Sequence, residues 1–185
     1  KGGHSWIRVM ASPQEGAEGR RWHGFFHDVT KTGRAAQGNV TLQAFSRLLA
    51  TRPGPQEVQD GLARVLVDTT EYAVAIVDRL TADGTGRRAI SGLDDISSEP
   101  RIDMGEGTVF HLVTTNQELY ECPDARKGGS SLSLDPFVQM GAGGILAVPV
   151  VSQRGVLGAI TLLDWDRRKM DSSLRVTLET VASLL

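Results

Sequence analysis

The chain has 185 residues, of which 40% are hydrophobic and 23% charged, and its formal net charge is -2. That composition supports a folded core of ordinary size and argues against intrinsic disorder. Acidic and basic residues are interspersed, which gives no electrostatic basis for nucleic-acid binding or direct membrane contact. A single cysteine, Cys122, excludes an internal disulfide and a multi-thiolate zinc site, and it suits a reducing, cytoplasmic compartment. No apolar run approaches membrane-spanning length, and no secretory signal is visible. The chain opens on Lys1 instead of Met, so we expect a piece of a longer protein with its output domain beyond Leu185.

Residues 1–31 read as a β-hairpin. Strand-like runs SWIRVM and WHGFFHDV flank a connector over Ser12–Gly19 rich in Gly, Pro and Glu. A lone hairpin has too little to bury its apolar face against, so it needs a partner sheet. Residues 32–54 form a linker helix and a break. Leu42, Phe45 and Leu49 make a helical stripe, and Pro53 and Pro55 end it.

From Pro55 the pattern is denser. Pro55 and Glu57 suit a first helical turn, and Val58, Leu62, Val65 and Leu66 continue it to Asp68. Tyr72–Leu80 reads as an apolar strand, Ala82–Gly86 as a turn, and Arg87–Ser91 as the returning strand. Thr108–Thr115 suits a short helix, Glu118–Cys122 a short strand, Lys127–Ser131 a loop, and Asp135–Met140 a helical turn. Ile145–Val151 and Val156–Leu163 are apolar on both faces and joined by a short connection. They are therefore predicted to be antiparallel neighbours in the middle of a sheet covered on both sides. Pro149 marks a missing ladder bond or a bulge. Asp171 is placed as the N-cap of a last helix over Ser172–Leu185. Its Leu174, Leu178, Val181 and Leu185 form a heptad-like seam.

Residues 55–185 resemble a GAF domain. The segment Gly144–Val150, a turn with Gly155, and Val156–Ile160 resemble that family's paired central strands. Leu119–Arg126, ending in Asp124-Ala125-Arg126, resembles its upstream short strand. The first 31 residues resemble the last two strands of a PAS domain, through Trp6–Val9, Gly19, Trp22, Gly24 and the ending Asp28-Val29-Thr30. The resemblance implies an α+β fold: a central antiparallel sheet of five to six strands with N- and C-terminal helices on one face, preceded by the orphan hairpin and linker helix. It also implies a ligand pocket on the opposite face. Candidate liners are Phe110, His111, Tyr120, Cys122, Asp124, Arg126, Phe137 and Met140. At each of them core packing or loop solvation is the competing reading, and a vestigial pocket stands beside a working one.

Chemistry-bearing residues give little else. Cys122 lacks an adjacent His for a bilin-type Cys-His pair, and a strand-end inert thiol is the simpler reading. One cysteine cannot both attack and resolve by an internal disulfide, which disfavours the family's free methionine sulfoxide reductase chemistry. His4, His23, His27 and His111 show no metal spacing. Gly141–Gly144 precedes a strand instead of opening a helix, so it is a turn and not a phosphate loop. No cyclic-nucleotide signature of the Asn-Lys-Phe-Asp-Glu type is present, and no cofactor is required.

The expectation is a non-catalytic, small-molecule-binding and relay module of a cytoplasmic signalling protein: a sensor histidine kinase of a two-component system, a diguanylate cyclase or a regulator. Relay would run through a homodimer seam on Leu174, Leu178, Val181 and Leu185. The alternatives are a structural dimerisation spacer without ligand, a photoreceptor, or the reductase.

Overall fold

The computed structural model describes residues 5, 7–16, 19–81, 86–93, 105–127, 135–168 and 172–185. The N-terminal hairpin pairs β1 (Ile7–Gly16) with β2 (Gly19–Asp28) in an antiparallel register from Ile7 opposite Asp28 to Gly16 opposite Gly19. The strands run further than the turn-rich connector suggested, and Pro13 lies within β1 opposite Trp22. A two-stranded ribbon has only edge positions, where a missing N–H costs least. Apolar side chains stay in solvent: Val9 is 59% exposed and its cross-strand partner Phe26 78%.

Helix α1 (Thr30–Ala50) follows at once, its first turn held by Asp28, whose carboxylate accepts from the Thr30 N–H at 2.9 Å. None of its described side chains before Thr41 is fully buried, and burial culminates in Phe45. α1 is therefore part of the folded core from Thr41 onward and not a free linker. Helix α2 (Pro55–Thr69) starts as Pro55 and Glu57 indicate, and the Glu57 carboxylate accepts from the Gly54 N–H at 2.8 Å.

The main sheet has five strands in the order β4-β3-β7-β6-β5, all antiparallel. They are β3 (Val74–Leu80), β4 (Gly86–Ser91), β5 (Tyr120–Cys122), β6 (Gly144–Ser152) and β7 (Gly155–Asp164). The two doubly apolar runs are adjacent inner strands, as expected. Pro149 lies past the end of the β5 ladder, which stops with Tyr120 opposite Ala147, so on that side β6 is already an edge, where a missing N–H costs least. The ladder irregularity lies just after it, between Val150 and Val151.

Side-chain alternation sends Ala75, Val77, Leu146, Val148, Ile160 and Leu162 to one face. There α1, α2 and α5 (Ser172–Ser183) cover them. Gly38 of α1 lies against Thr177 of α5, where an added Cβ would sit 2.5 Å from Thr177 Oγ1, so this crossing requires a residue without one. Val74, Ile76, Ile145, Ala147, Ala159 and Leu163 point to the other face. Its cover is α3 (Val109–Asn116), a 3-10 turn at Ala125–Lys127 and α4 (Pro136–Gln139). The turn at 82–85, the loop over 128–131 and the Asp171 cap lie outside the described residues.

The α5 seam faces inward. Leu178 and Val181 are fully buried, and Leu174 packs against the same cluster. Of the four seam residues only Leu185 is solvent-exposed, at 40%. The stripe expected to form a dimer contact is thus occupied by this chain's own sheet. Periodicity identifies an apolar stripe but not what it meets. The large apolar residues left outside are Val176 on α5 and, just past its end, Leu184 and Leu185. No helix among the described residues is long and apolar enough to cross a membrane.

Candidate functional site

The face under α3 and α4 reads in three rows across the strands. One row joins Arg88 (β4), Asp78 (β3), Ala159 (β7) and Pro149 (β6). The next joins Ile90, Ile76, Thr161, Ala147 and Tyr120. The third joins Val74, Leu163, Ile145 and Cys122. The middle of this face is therefore floored by small side chains, whereas the same strands carry Leu146, Val148, Ile160 and Leu162 on their other side.

Charge is present here but paired. Asp78 accepts from Arg88 Nε at 2.7 Å and from Nη2 at 2.9 Å, a bidentate pair whose side chains are 2% and 9% exposed. The guanidinium also lies over the Phe137 ring of α4, 5.6 Å from its centroid. Burial pushes the Asp78 carboxyl above its ordinary value, against the opposing hydrogen bond and charge of Arg88. Asp135 caps α4 by accepting from the Phe137 and Val138 N–H groups, and its other oxygen accepts from the Val109 N–H at 2.9 Å. One carboxylate thus closes the first turns of both cover helices. Asp135→Ala removes that cap and leaves the buried Val109 donor unpaired. It is expected to destabilise the chain by about 2–4 kcal/mol, the sum of a lost cap and an orphaned donor, in urea denaturation.

Of the proposed liners, Phe110, Phe137 and Cys122 are buried in the cluster on this face, and Tyr120 is half-buried beside them. Burial raises the Tyr120 phenol, with Cys122 adding to the effect. His111 is half-buried on α3, with its backbone N–H donating to the Thr108 hydroxyl. Asp124, Arg126 and Met140 belong to the rim. Asp124 is held below the ordinary carboxylate range, where partial desolvation is outweighed by Arg126 at 3.2 Å and Lys127 at 3.5 Å. Arg126 and Met140 are exposed. Sequence reading missed Asp78, Arg88, Asp135 and Thr161. A usable signal existed for two of them: Asp78 is the one charge inside the apolar run YAVAIVD, and Thr161 the one polar side chain in VLGAITLL.

Among the described residues no group of three or more His, Cys, Asp or Glu is placed to hold a metal ion.

No protein-family model and no curated protein matches the chain. Solved structures do. The GAF domain of a phosphoenolpyruvate-protein phosphotransferase from Acinetobacter superposes with a TM-score of 0.69 at 16% identity, over 80% of this chain and 89% of that one. The chromophore-binding domain of a bacteriophytochrome from R. palustris gives a TM-score of 0.59 at 17% identity, over 95% of this chain and 71% of that one. The reduced form of fRMsr from Staphylococcus aureus gives 0.62 at 13% identity, over 80% of this chain and 91% of that one. At such identities the likeness concerns architecture. The chain has a GAF-like α+β fold, with one sheet face closed by the terminal helices and the other roofed by α3 and α4.

Proposed function

We propose that the chain is the sensory part of a cytoplasmic signalling protein, binding a small molecule beneath α3 and α4 and passing the change to α1 and α5 across the sheet. The observation that carries this reading is the unequal furnishing of the sheet. Val148, Ile160, Leu146 and Leu162 fill the face of β6 and β7 under α1, α2 and α5, while at the middle of their other face stand Ala147, Ala159 and Thr161, bordered by Ile76, Ile145 and Leu163. The likeness to a GAF domain of a phosphotransferase and to the chromophore-binding domain of a bacteriophytochrome supports a regulatory role. In this reading the chain itself catalyses nothing and the output domain is a histidine kinase, a diguanylate cyclase or a regulator. A single, buried Cys122 gives no resolving partner for reductase chemistry.

The hairpin would be the end of a preceding PAS domain. Its exposed Phe25 and Phe26 suit strands taken from a larger sheet. The bacteriophytochrome likeness, over 95% of this chain, leaves too few residues outside it to exclude the hairpin. Self-association would use the outer residues of the terminal helices, since Leu178 and Val181 are inside.

Cyclic nucleotides, amino acids, tetrapyrroles and uncharged aromatic compounds tested by thermal shift, followed by hydrogen exchange, examine this directly. A ligand at a hundred times its Kd stabilises by about 2.7 kcal/mol. The expected result is such a shift together with altered protection of α1 and α5 amides. No shift from any compound favours the ligand-free spacer.

A further inference from the structure

Thr161 lies on an inner strand, in the middle row of the face roofed by α3 and α4. It is 4% exposed, and among the described residues nothing hydrogen-bonds its hydroxyl. A buried hydroxyl left unpaired is costly, and proteins rarely keep one without a partner. The valine that would match its shape without that cost is absent from a run otherwise made of apolar residues. Its neighbours are small on two sides: Ala147 beside it in the row, and Ala159 two residues before it on the same strand. The floor is therefore low on those two sides, with Ile76 across the row and Leu163 two residues on bordering the others.

The charges on this face are already committed. Asp78 holds Arg88 through two hydrogen bonds, and Asp135 is taken up by three backbone N–H groups. An ionic guest would have to break one of these or lose its hydration without compensation. The roof, by contrast, carries Phe110 and Phe137, whose rings suit flat partners.

From this placement we propose that the face beneath α3 and α4 takes a small, flat, uncharged and mainly apolar molecule, anchored by one hydrogen bond to Thr161 Oγ1. This rests on the sensory reading above and narrows it to a ligand class and an anchoring residue.

The test uses the full chain and four probes: phenol, indole, benzoate and benzylamine. Methyl signals of Ala147, Ala159 and Thr161 report binding at the floor, and thermal shift reports folding. Phenol or indole is expected to move the alanine methyls saturably, and benzoate and benzylamine to leave them in place. Thr161→Val is expected to keep the fold and weaken phenol about tenfold, the effect of one hydrogen bond. Ala159→Leu is expected to fold and to abolish phenol binding, because its side chain occupies the space.

Phenol binding equally well to Thr161→Val overturns the anchor. Benzoate or benzylamine binding at these methyls in preference to phenol overturns the ligand class and leaves the sensory reading standing. Silence of the methyls with all four probes overturns this inference, while the sensory reading stands or falls on its separate ligand screen. If Ala159→Leu does not fold, the Thr161→Val titration decides alone.

Discussion

Asp78→Ala is expected to be among the most damaging single substitutions in the chain, costing about 3–5 kcal/mol, because it breaks a buried bidentate ion pair by removing the carboxylate that Arg88 donates to twice. The Arg88 side chain is 9% exposed and lies against Phe137, so little of it meets water. Removing both charges together should behave differently. Asp78→Leu with Arg88→Met replaces the pair by apolar groups of comparable volume, a change that is often neutral or stabilising. Urea denaturation of the two singles and the double gives the coupling. If Asp78→Ala unfolds at the same midpoint as the parent, the ion pair is not buried as described. The fold reading itself would survive that outcome.

Phe45→Ala should lose a similar amount, about 3–5 kcal/mol, by opening a cavity among α1, α2, α5 and the sheet. The informative comparison is Phe26→Ser in the hairpin. Phe26 is 78% exposed, and a surface change away from special features is usually within about 0.5 kcal/mol. Two phenylalanines nineteen positions apart in the sequence thus separate the core from the ribbon. A Phe45→Ala chain as stable as the parent would mean that α1 is only a tether.

How far the residues alone reach is clear from particular elements. The inner strands β6 and β7 announce themselves, since a run apolar on both faces and joined by a short turn has few other places to go. Pro55 and Glu57 mark the start of α2, and Asp135 the start of α4, through local chemistry that needs no tertiary context. The α5 seam shows where such reasoning stops. Leu174, Leu178 and Val181 define a stripe, and both a sheet and a second helix bury stripes of that kind. The Asp78–Arg88 pair lies ten residues apart in sequence and becomes visible only once the β3–β4 register is known, with Asp78 opposite Arg88. Asp135 opens a helical turn that the sequence shows, but its bond to Val109 spans 26 residues and has no sequence signature. The site candidates divide along the same line. Apolar Phe110 and Phe137 are found by position in the pattern, while the rim residues Arg126 and Met140 follow from resemblance alone and point outward.

The long α1 helix has a mechanical consequence. It is pinned in the core at Phe45, laid against Thr177 of α5 at Gly38, and fastened to the ribbon at Asp28–Thr30. Eight residues of helix separate the Gly38 contact from Thr30, about 12 Å at the rise of an α-helix. A tilt of roughly 5° at that contact would sweep the far end by about 1 Å over that length. A shift inside the core too small to disturb its packing would therefore emerge as a displacement of atomic size at the hairpin. By the same lever, a push on the ribbon would bear on the contact between Gly38 and Thr177.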